Sequence, residues 1–463
     1  MKGTGLIVFA RRVLRYARRR AAVLGRIARV AWTRPGPFYE EVKAAVLRMV
    51  QPPAYLQYVN GLPNVCPLNL TVDPALDAAP RLNVLIPGMA MRAMSGGPNT
   101  AINLAYRMAQ RGVPLRFIST DIPMERDQDL LWHHFTALTG IRERLDNVEI
   151  RCGHDRTTPL VIGGNDVFLG TAWWTVQMIK RALPLVRPQR FIYLIQEFEP
   201  GLYPWSTRHA LACETYHLPF FGLINERLVA DYLTEQRIGQ FADPSFVTNC
   251  CAVFEPAIDP SKFRREPRQS GDPRRLLFYA RPQNAERNLF ELGLYALQRA
   301  VADGVFAGEP WEMFFIGEDI PEVTLSAEVT VRSARWLGYE AYAALIGRSD
   351  IALSLMLSPH TSYPPLEIAA AGGIAVTSIY SVKTAERLSR ISRNIIAVEP
   401  TLEGVIAGLV EAVARVRAGR QEAARVALPG TWDESFADVL PRAIAMYEEC
   451  RAVPLAPRMS CTA

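Results

Sequence analysis

The stretch from Ile351 to Val376, IALSLMLSPHTSYPPLEIAAAGGIAV, admits few folds. An apolar run from Ile351 to Leu357 gives way to a polar, proline-bearing turn. Pro364 and Pro365 then open a short Ala-rich helix, Gly372-Gly373 closes it, and a second apolar run starts at Ile374. The pattern predicts strand, loop, helix and strand, with one carboxylate, Glu367, in the helix's first turn. Proline suits a first turn because its missing N–H would be unpaired there anyway. The N–H groups beside it are expected to form an anion site. The carboxyl end of a strand facing such a helix start is where open α/β sheets bind nucleotides.

The same alternation recurs along the chain. Arg81 to Pro87 reads as a strand, followed by a loop containing Ser95-Gly96-Gly97, a helix from about Asn99 to Gln110 and a strand from Leu115 to Ser119. Gly96 and Gly97 would let a backbone approach a phosphate or sugar, although a tight turn needs the same residues. The spacing is not that of a dinucleotide fingerprint. Further runs follow at Thr158–Ile162, Asp166–Gly170 and Phe191–Ile195, with a helix from Trp173 to Leu185. Past the last run stand Glu197 and Glu199, among Phe198, Tyr203 and Trp205. They are candidates for sugar contacts or a general base; a solvated loop edge is the alternative. Phe246 to Ala252 is expected as a strand and Glu255 to Asp259 as an exposed crossover.

The pattern then restarts with a strand at Arg275–Ala280. Arg281 and Arg287 follow, and a planar, permanently charged guanidinium suits a diphosphate. Ion pairs with Glu286 or Glu318 are the competing reading. Trp311 to Ile316 is a strand that ends in Gly317-Glu318, Val329 to Leu337 a short edge element, and Tyr339 to Arg348 a helix. Two successive α/β halves imply facing domains and a cleft. Phe436 to Cys450 reads as an amphipathic terminal helix.

Charge separates the body from what precedes it. The 463 residues carry a net charge of +6, yet residues 1–34 hold ten Lys/Arg and no acid. The remainder, with 42 basic and 46 acidic residues, is therefore net negative at −4. Within residues 6–31 apolar residues recur at helical steps opposite Arg11, Arg15, Arg18, Arg19, Arg26 and Arg29, predicting a basic amphipathic helix for an anionic membrane surface. A transit peptide, a nucleic-acid arm or a helix packed on its own domain would read similarly. No run approaches the roughly 18 uncharged residues of a transmembrane span. The seven cysteines show no paired-ligand spacing, which suggests free thiols in a reducing compartment and no metal site. Asp127-Gln-Asp129 matches a three-residue metal motif of some sugar transferases, but it follows no clear strand and is discounted.

Arg281 with Arg287-Asn288, the 354–373 segment and Ser95-Gly96-Gly97 together resemble the donor-side elements of GT-B glycosyltransferases. Gln196-Glu-Phe-Glu-Pro200, Tyr279-Ala-Arg-Pro282 and Ser358-Pro-His-Thr-Ser-Tyr-Pro-Pro-Leu-Glu367 more narrowly resemble WsaF-like bacterial rhamnosyltransferases, over residues 80 to 450. The resemblance implies two Rossmann-like domains facing across a cleft and transfer of rhamnose from dTDP-rhamnose to a growing or lipid-linked surface glycan, without a metal or other cofactor. It implies that Glu367 binds the donor ribose, Arg281 neutralises the leaving diphosphate, and His360 and Tyr363 line the donor pocket. Gly96, Gly97, Arg287 and Gly317 complete the expected donor contacts, and Glu197 and Glu199 are the candidate bases. One departure stands out: many relatives carry a second acid where this chain has Pro359.

The expected organisation is a basic arm at 1–36, an acceptor-side domain at 37–255, a donor-side domain at 256–430 and a terminal helix and tail at 431–463. The expected setting is cytoplasmic, peripheral at the inner membrane face through residues 1–34, with no nucleic-acid partner. A nucleotide-sugar 2-epimerase on the same architecture, or a non-catalytic membrane- or nucleic-acid-binding scaffold, is the alternative.

Overall fold

Near-continuous apolar runs such as Phe191–Ile195 form strands buried on both faces, and such strands belong to parallel sheets covered by helices. A computed structural model describes residues 65–452, apart from 95, 268, 270, 283–285, 336 and 420–424. The basic arm, the predicted helix at Tyr39–Val50, Ser95 and the tail from residue 453 lie outside the described residues.

The first sheet has seven parallel strands. They are β2 (Leu82–Ile86), β3 (Leu115–Ser119), β4 (Val148–Cys152), β6 (Val167–Gly170), β7 (Phe191–Ile195), β8 (Phe220–Asn225) and β9 (Cys251–Phe254). Their spatial order is β4-β3-β2-β6-β7-β8-β9. A parallel ribbon of β1 (Leu70–Val72) and β5 (Leu160–Ile162) stands apart from it. The second sheet comprises β10 (Arg274–Tyr279), β11 (Trp311–Ile316), β12 (Val323–Thr324), β13 (Thr330–Ser333), β14 (Ile351–Leu353), β15 (Ile374–Ser378) and β16 (Ile395–Val398). Its order is β12-β13-β11-β10-β14-β15-β16, with only the β12–β13 pair antiparallel. Numbered by its parallel strands, each sheet contains the doubly-wound order 3-2-1-4-5-6, which reverses between β2 and β6 in one and between β10 and β14 in the other.

One expected strand is corrected. Residues 244–250 are helical (Pro244–Cys250), and the strand begins only at Cys251. Asp243 caps the helix by accepting from Ser245 N (2.8 Å), and Pro244 occupies its first position. An Asp-Pro start of this kind outweighs the β-branched and aromatic content of Phe246-Val-Thr248. The following crossover is only partly exposed, because Ile258 is buried in the second half.

The terminal helix (Val439–Arg451) returns to the first half, where Val439, Leu440, Ala443, Met446 and Tyr447 pack with Leu82, Val84 and Phe254. Tyr447 donates to Pro80 O (2.8 Å), and Arg107 pairs with Asp433 (2.7 Å). The described residues from Pro67 onward thus form one compact unit. The carboxyl ends of the two sheets meet: Thr361 N and Oγ1 both donate to Glu226 at 2.6 Å, the Thr100 and Tyr363 hydroxyls lie 3.3 Å apart, and Arg387 pairs with Asp231.

Candidate active site

Every residue singled out for the site lies in the loop or first helix that follows a strand's carboxyl end: Gly96 and Gly97 after β2, Glu197 and Glu199 after β7, Arg281 and Arg287 after β10, Gly317 after β11, and His360, Tyr363 and Glu367 after β14. The structure draws them into three groups.

The first group bridges the halves. Arg287 Nη2 donates to Glu197 Oε2 (2.9 Å), Ser358 Oγ to Glu197 Oε1, and Phe198 N to the same oxygen (2.8 Å). Glu197 is buried, which rules out a solvated loop edge for it. Burial opposes its charge, but Arg287, the His360 ring and Ser358 hold the carboxyl below the usual carboxylate range. The ion pair of Arg287 is thus with Glu197 and not with Glu286, the neighbour of the competing reading. Beneath it, the fully buried Lys383 donates to Met356 O (3.1 Å) and His360 O (3.2 Å), fixing the loop that carries Ser358. Burial lowers the Lys383 ammonium to about 8.

The second group lies at the β10/β14 switch point. Arg281 Nε is buried, makes no hydrogen bond and stands 3.8 Å from Glu318 Oε1, too far for more than a loose ion pair. Gly317 (φ +107°) packs beneath it; a Cβ there would lie 2.9 Å from the Tyr279 ring and 3.1 Å from Arg281 Cγ. Past the adjacent strand β14, Glu367 projects from the helix Tyr363–Ala370 and accepts a hydrogen bond from the Tyr342 hydroxyl. Burial raises its carboxyl to about 7, with Tyr342 opposing.

The anion site expected at that helix start is smaller than foreseen. Pro364 and Pro365 carry no N–H, and Ser362 N donates to His360 Nδ1 (2.9 Å), which leaves Tyr363. Ser362 adopts φ 67° and ψ 151°, a region that costs a non-glycine residue about 1–3 kcal/mol, held here by the bond of its own N–H to His360 and that of the preceding Thr361 N–H to Glu226.

The third group belongs to the first half. Glu199 accepts from Trp173 N (2.5 Å) and the Tyr193 hydroxyl (3.2 Å), and burial pushes its carboxyl up to about 8. Trp173 Nε1 donates to the Tyr203 hydroxyl (3.0 Å), and Trp205, 96% exposed, stacks on His209. Gly96 (φ +46°) faces open space, whereas Gly97 touches Gln196, whose Nε2 donates to Gly97 O (3.1 Å). Asp127, of the discounted metal motif, caps the helix Gln128–Thr139 by accepting from Leu130 N (3.0 Å).

Sequence reasoning missed Glu226, Tyr342, Ser358 and Lys383. Glu226 had a signal, as a charged residue directly after the strand run Phe220–Asn225, whereas Lys383 lies five residues past β15. The roles of Tyr342 and Ser358 depend on partners distant in the chain.

Residues 81–222 match the N-terminal domain of WsaF, and residues 274–410 match the WsaF C-terminal domain. The chain is 35% identical over 267 residues to the O-antigen biosynthesis protein RfbC of Myxococcus xanthus, covering 56% of this chain and 19% of that protein. The chain thus spans about a fifth of that relative's length. Among solved structures, Anabaena Alr3699/HepE matches both in complex with UDP (TM-score 0.52, 12% identity, 80% of this chain and 99% of that one) and in complex with UDP-glucose (TM-score 0.51, 11% identity, 80% and 98%). At that identity the likeness establishes the fold. Two doubly-wound halves meeting at their strand ends, each matched by the corresponding WsaF domain, place this chain in the WsaF family of GT-B glycosyltransferases.

Proposed function

We propose that the chain transfers a sugar from a nucleotide donor, rhamnose from dTDP-rhamnose in the first instance, to a growing or lipid-linked surface glycan. The observation that carries this reading is that Arg281 follows β10 and Glu367 sits on the helix that follows β14, two adjacent parallel strands at a switch point, within the part matched by the WsaF C-terminal domain. The name of the M. xanthus relative, an O-antigen biosynthesis protein, supports a polysaccharide acceptor. The UDP and UDP-glucose of the Anabaena structures support a nucleotide-sugar donor.

In this reading Glu367 accepts a hydrogen bond from the 3′-hydroxyl of the donor's deoxyribose, and Gly317 and Tyr363 border the nucleotide. Arg281 faces the diphosphate, where negative charge grows as the glycosidic bond breaks. A fixed guanidinium aimed there lowers the barrier without reorganising, and the reaction is assigned to this charge and not to a metal. His360 and the Gly96-Gly97 turn border the transferred sugar. Glu197, which reaches across to the second half, is assigned the base role; Glu199 turns away to Trp173 and Tyr193. Residues 1–34 are proposed to hold the enzyme at the inner face of the cytoplasmic membrane.

Incubation with dTDP-rhamnose and an acceptor glycan tests the proposal. Release of dTDP that requires the acceptor, with rhamnose in the product, is expected. Acceptor-independent interconversion of the donor sugar would instead identify an epimerase.

A further inference from the structure

Glu197 belongs to the first half, yet its carboxylate rests on two donors of the second, Arg287 Nη2 and Ser358 Oγ. Arg287 and Glu197 keep only 14% and 11% of their side-chain surface exposed, so the pair is largely withdrawn from water. Ser358 Oγ also accepts from His360 N (3.0 Å), which aims its hydroxyl proton at the carboxylate. A guanidinium and a fixed hydroxyl bind a phosphate oxygen as readily as a carboxylate, since both ligands are anions that accept charge-assisted hydrogen bonds. The next cation, Arg281, stands two positions past β10 and carries an unbonded Nε, as does Arg287 itself. The donors held by Glu197 are therefore continuous with the switch point assigned to the nucleotide.

We infer that Glu197 is a built-in competitor for the donor's diphosphate: carboxylate and phosphate exchange on Arg287 and Ser358, so that donor binding itself frees Glu197. The inference rests on the nucleotide-sugar reading and adds an order of events. While Glu197 sits on Arg287 its negative charge is stabilised and its basicity is low. Transfer of Arg287 to the diphosphate removes that partner and returns the carboxylate to a stronger base beside the reacting sugar. Donor binding thus precedes activation of the acceptor, and the carboxylate is screened from the acceptor until a diphosphate is present.

The competition predicts two opposite effects of one substitution. In Glu197→Gln the uncharged amide releases Arg287, and calorimetric titration should show dTDP and inorganic pyrophosphate binding about tenfold or more tighter than to the wild type, the scale of one charge-assisted hydrogen bond. Transfer by the same variant should fall. In the Arg287→Gln background, Glu197→Gln should give no gain, because the shared donor is gone. Should Glu197→Gln fail to fold, Glu197→Asp, whose carboxylate falls one methylene short, should give a smaller gain of the same sign. Unchanged or weaker pyrophosphate affinity in a folded Glu197 variant, with dTDP still binding the wild type, overturns the exchange alone. Absence of dTDP and pyrophosphate binding from every variant and from the wild type overturns the nucleotide-sugar reading beneath it.

Discussion

The two halves of the chain share a strand order and differ in what stands at its reversal. Near β2, β6 and β7 several groups pair within their own half: Gly97 with Gln196, Glu199 with Trp173 and Tyr193, Trp173 with Tyr203. At β10/β14 the groups beyond the strands are under-partnered: Arg281 has an unbonded Nε, and Glu367 holds a carboxyl raised to about 7 against one tyrosine. A fold that repeats itself does not repeat its chemistry. Buried polar groups left short of partners are costly, and such groups gather where a ligand completes them. The contrast fits the proposal that the second half binds the nucleotide and the first presents the acceptor.

The largest expected effect falls on Arg281. Arg281→Ala should cut turnover at least about a hundredfold, the scale of removing one preorganised charge-stabilising donor. Normal steady-state turnover would break the contrast between the halves at its strongest point.

A smaller effect concerns pH. In the proposed reading the 3′-hydroxyl of the dTDP deoxyribose donates to ionised Glu367, so nucleotide binding would expel a proton from a carboxyl that burial raises to about 7. Affinity for dTDP should therefore rise about tenfold between pH 6 and 8 and level off above that, read by calorimetry across pH. Glu367→Gln should flatten the profile; a slope that survives the substitution would move the titrating group elsewhere.

Two glycines give the smallest and most local comparison. A Cβ at Gly317 meets the Tyr279 ring, the Ala280 carbonyl and Arg281, at a φ of +107°. Gly317→Ala should cost about 1–3 kcal/mol in thermal or denaturant unfolding and weaken dTDP binding with it. At Gly97 the nearest atom is the movable Gln196 amide at 3.2 Å, and Gly97→Ala should cost under about 1 kcal/mol. Equal costs would show that the two turns are not built for different tasks.

Much of this was legible before any coordinates. The strands Leu115–Ser119, Phe191–Ile195 and Trp311–Ile316 have the expected bounds, because strands of a covered parallel sheet are mostly apolar even where Arg116, Ser119 and Glu312 interrupt them. The segment at 244–250 was not, since Phe246-Val-Thr248 favours a strand until the Asp243-Pro244 cap is weighed. The candidate site was legible as a set of strand ends, but its pairing was not. Arg287 and Glu197 are 90 residues apart, and Tyr342 and Glu367 lie on different helices. Adjacency of that kind is created by the packing of the halves and leaves no local pattern. The overestimated anion site at Tyr363 was an error of local chemistry, because two of its first three helical residues are prolines.

The central claim is that the β10/β14 strand ends bind the nucleoside diphosphate. Calorimetric titration of dTDP into the wild type, Arg281→Ala and Glu367→Ala tests it most directly. The account predicts one site per chain, with affinity reduced about tenfold or more in each variant. Wild-type affinity in both variants would contradict it.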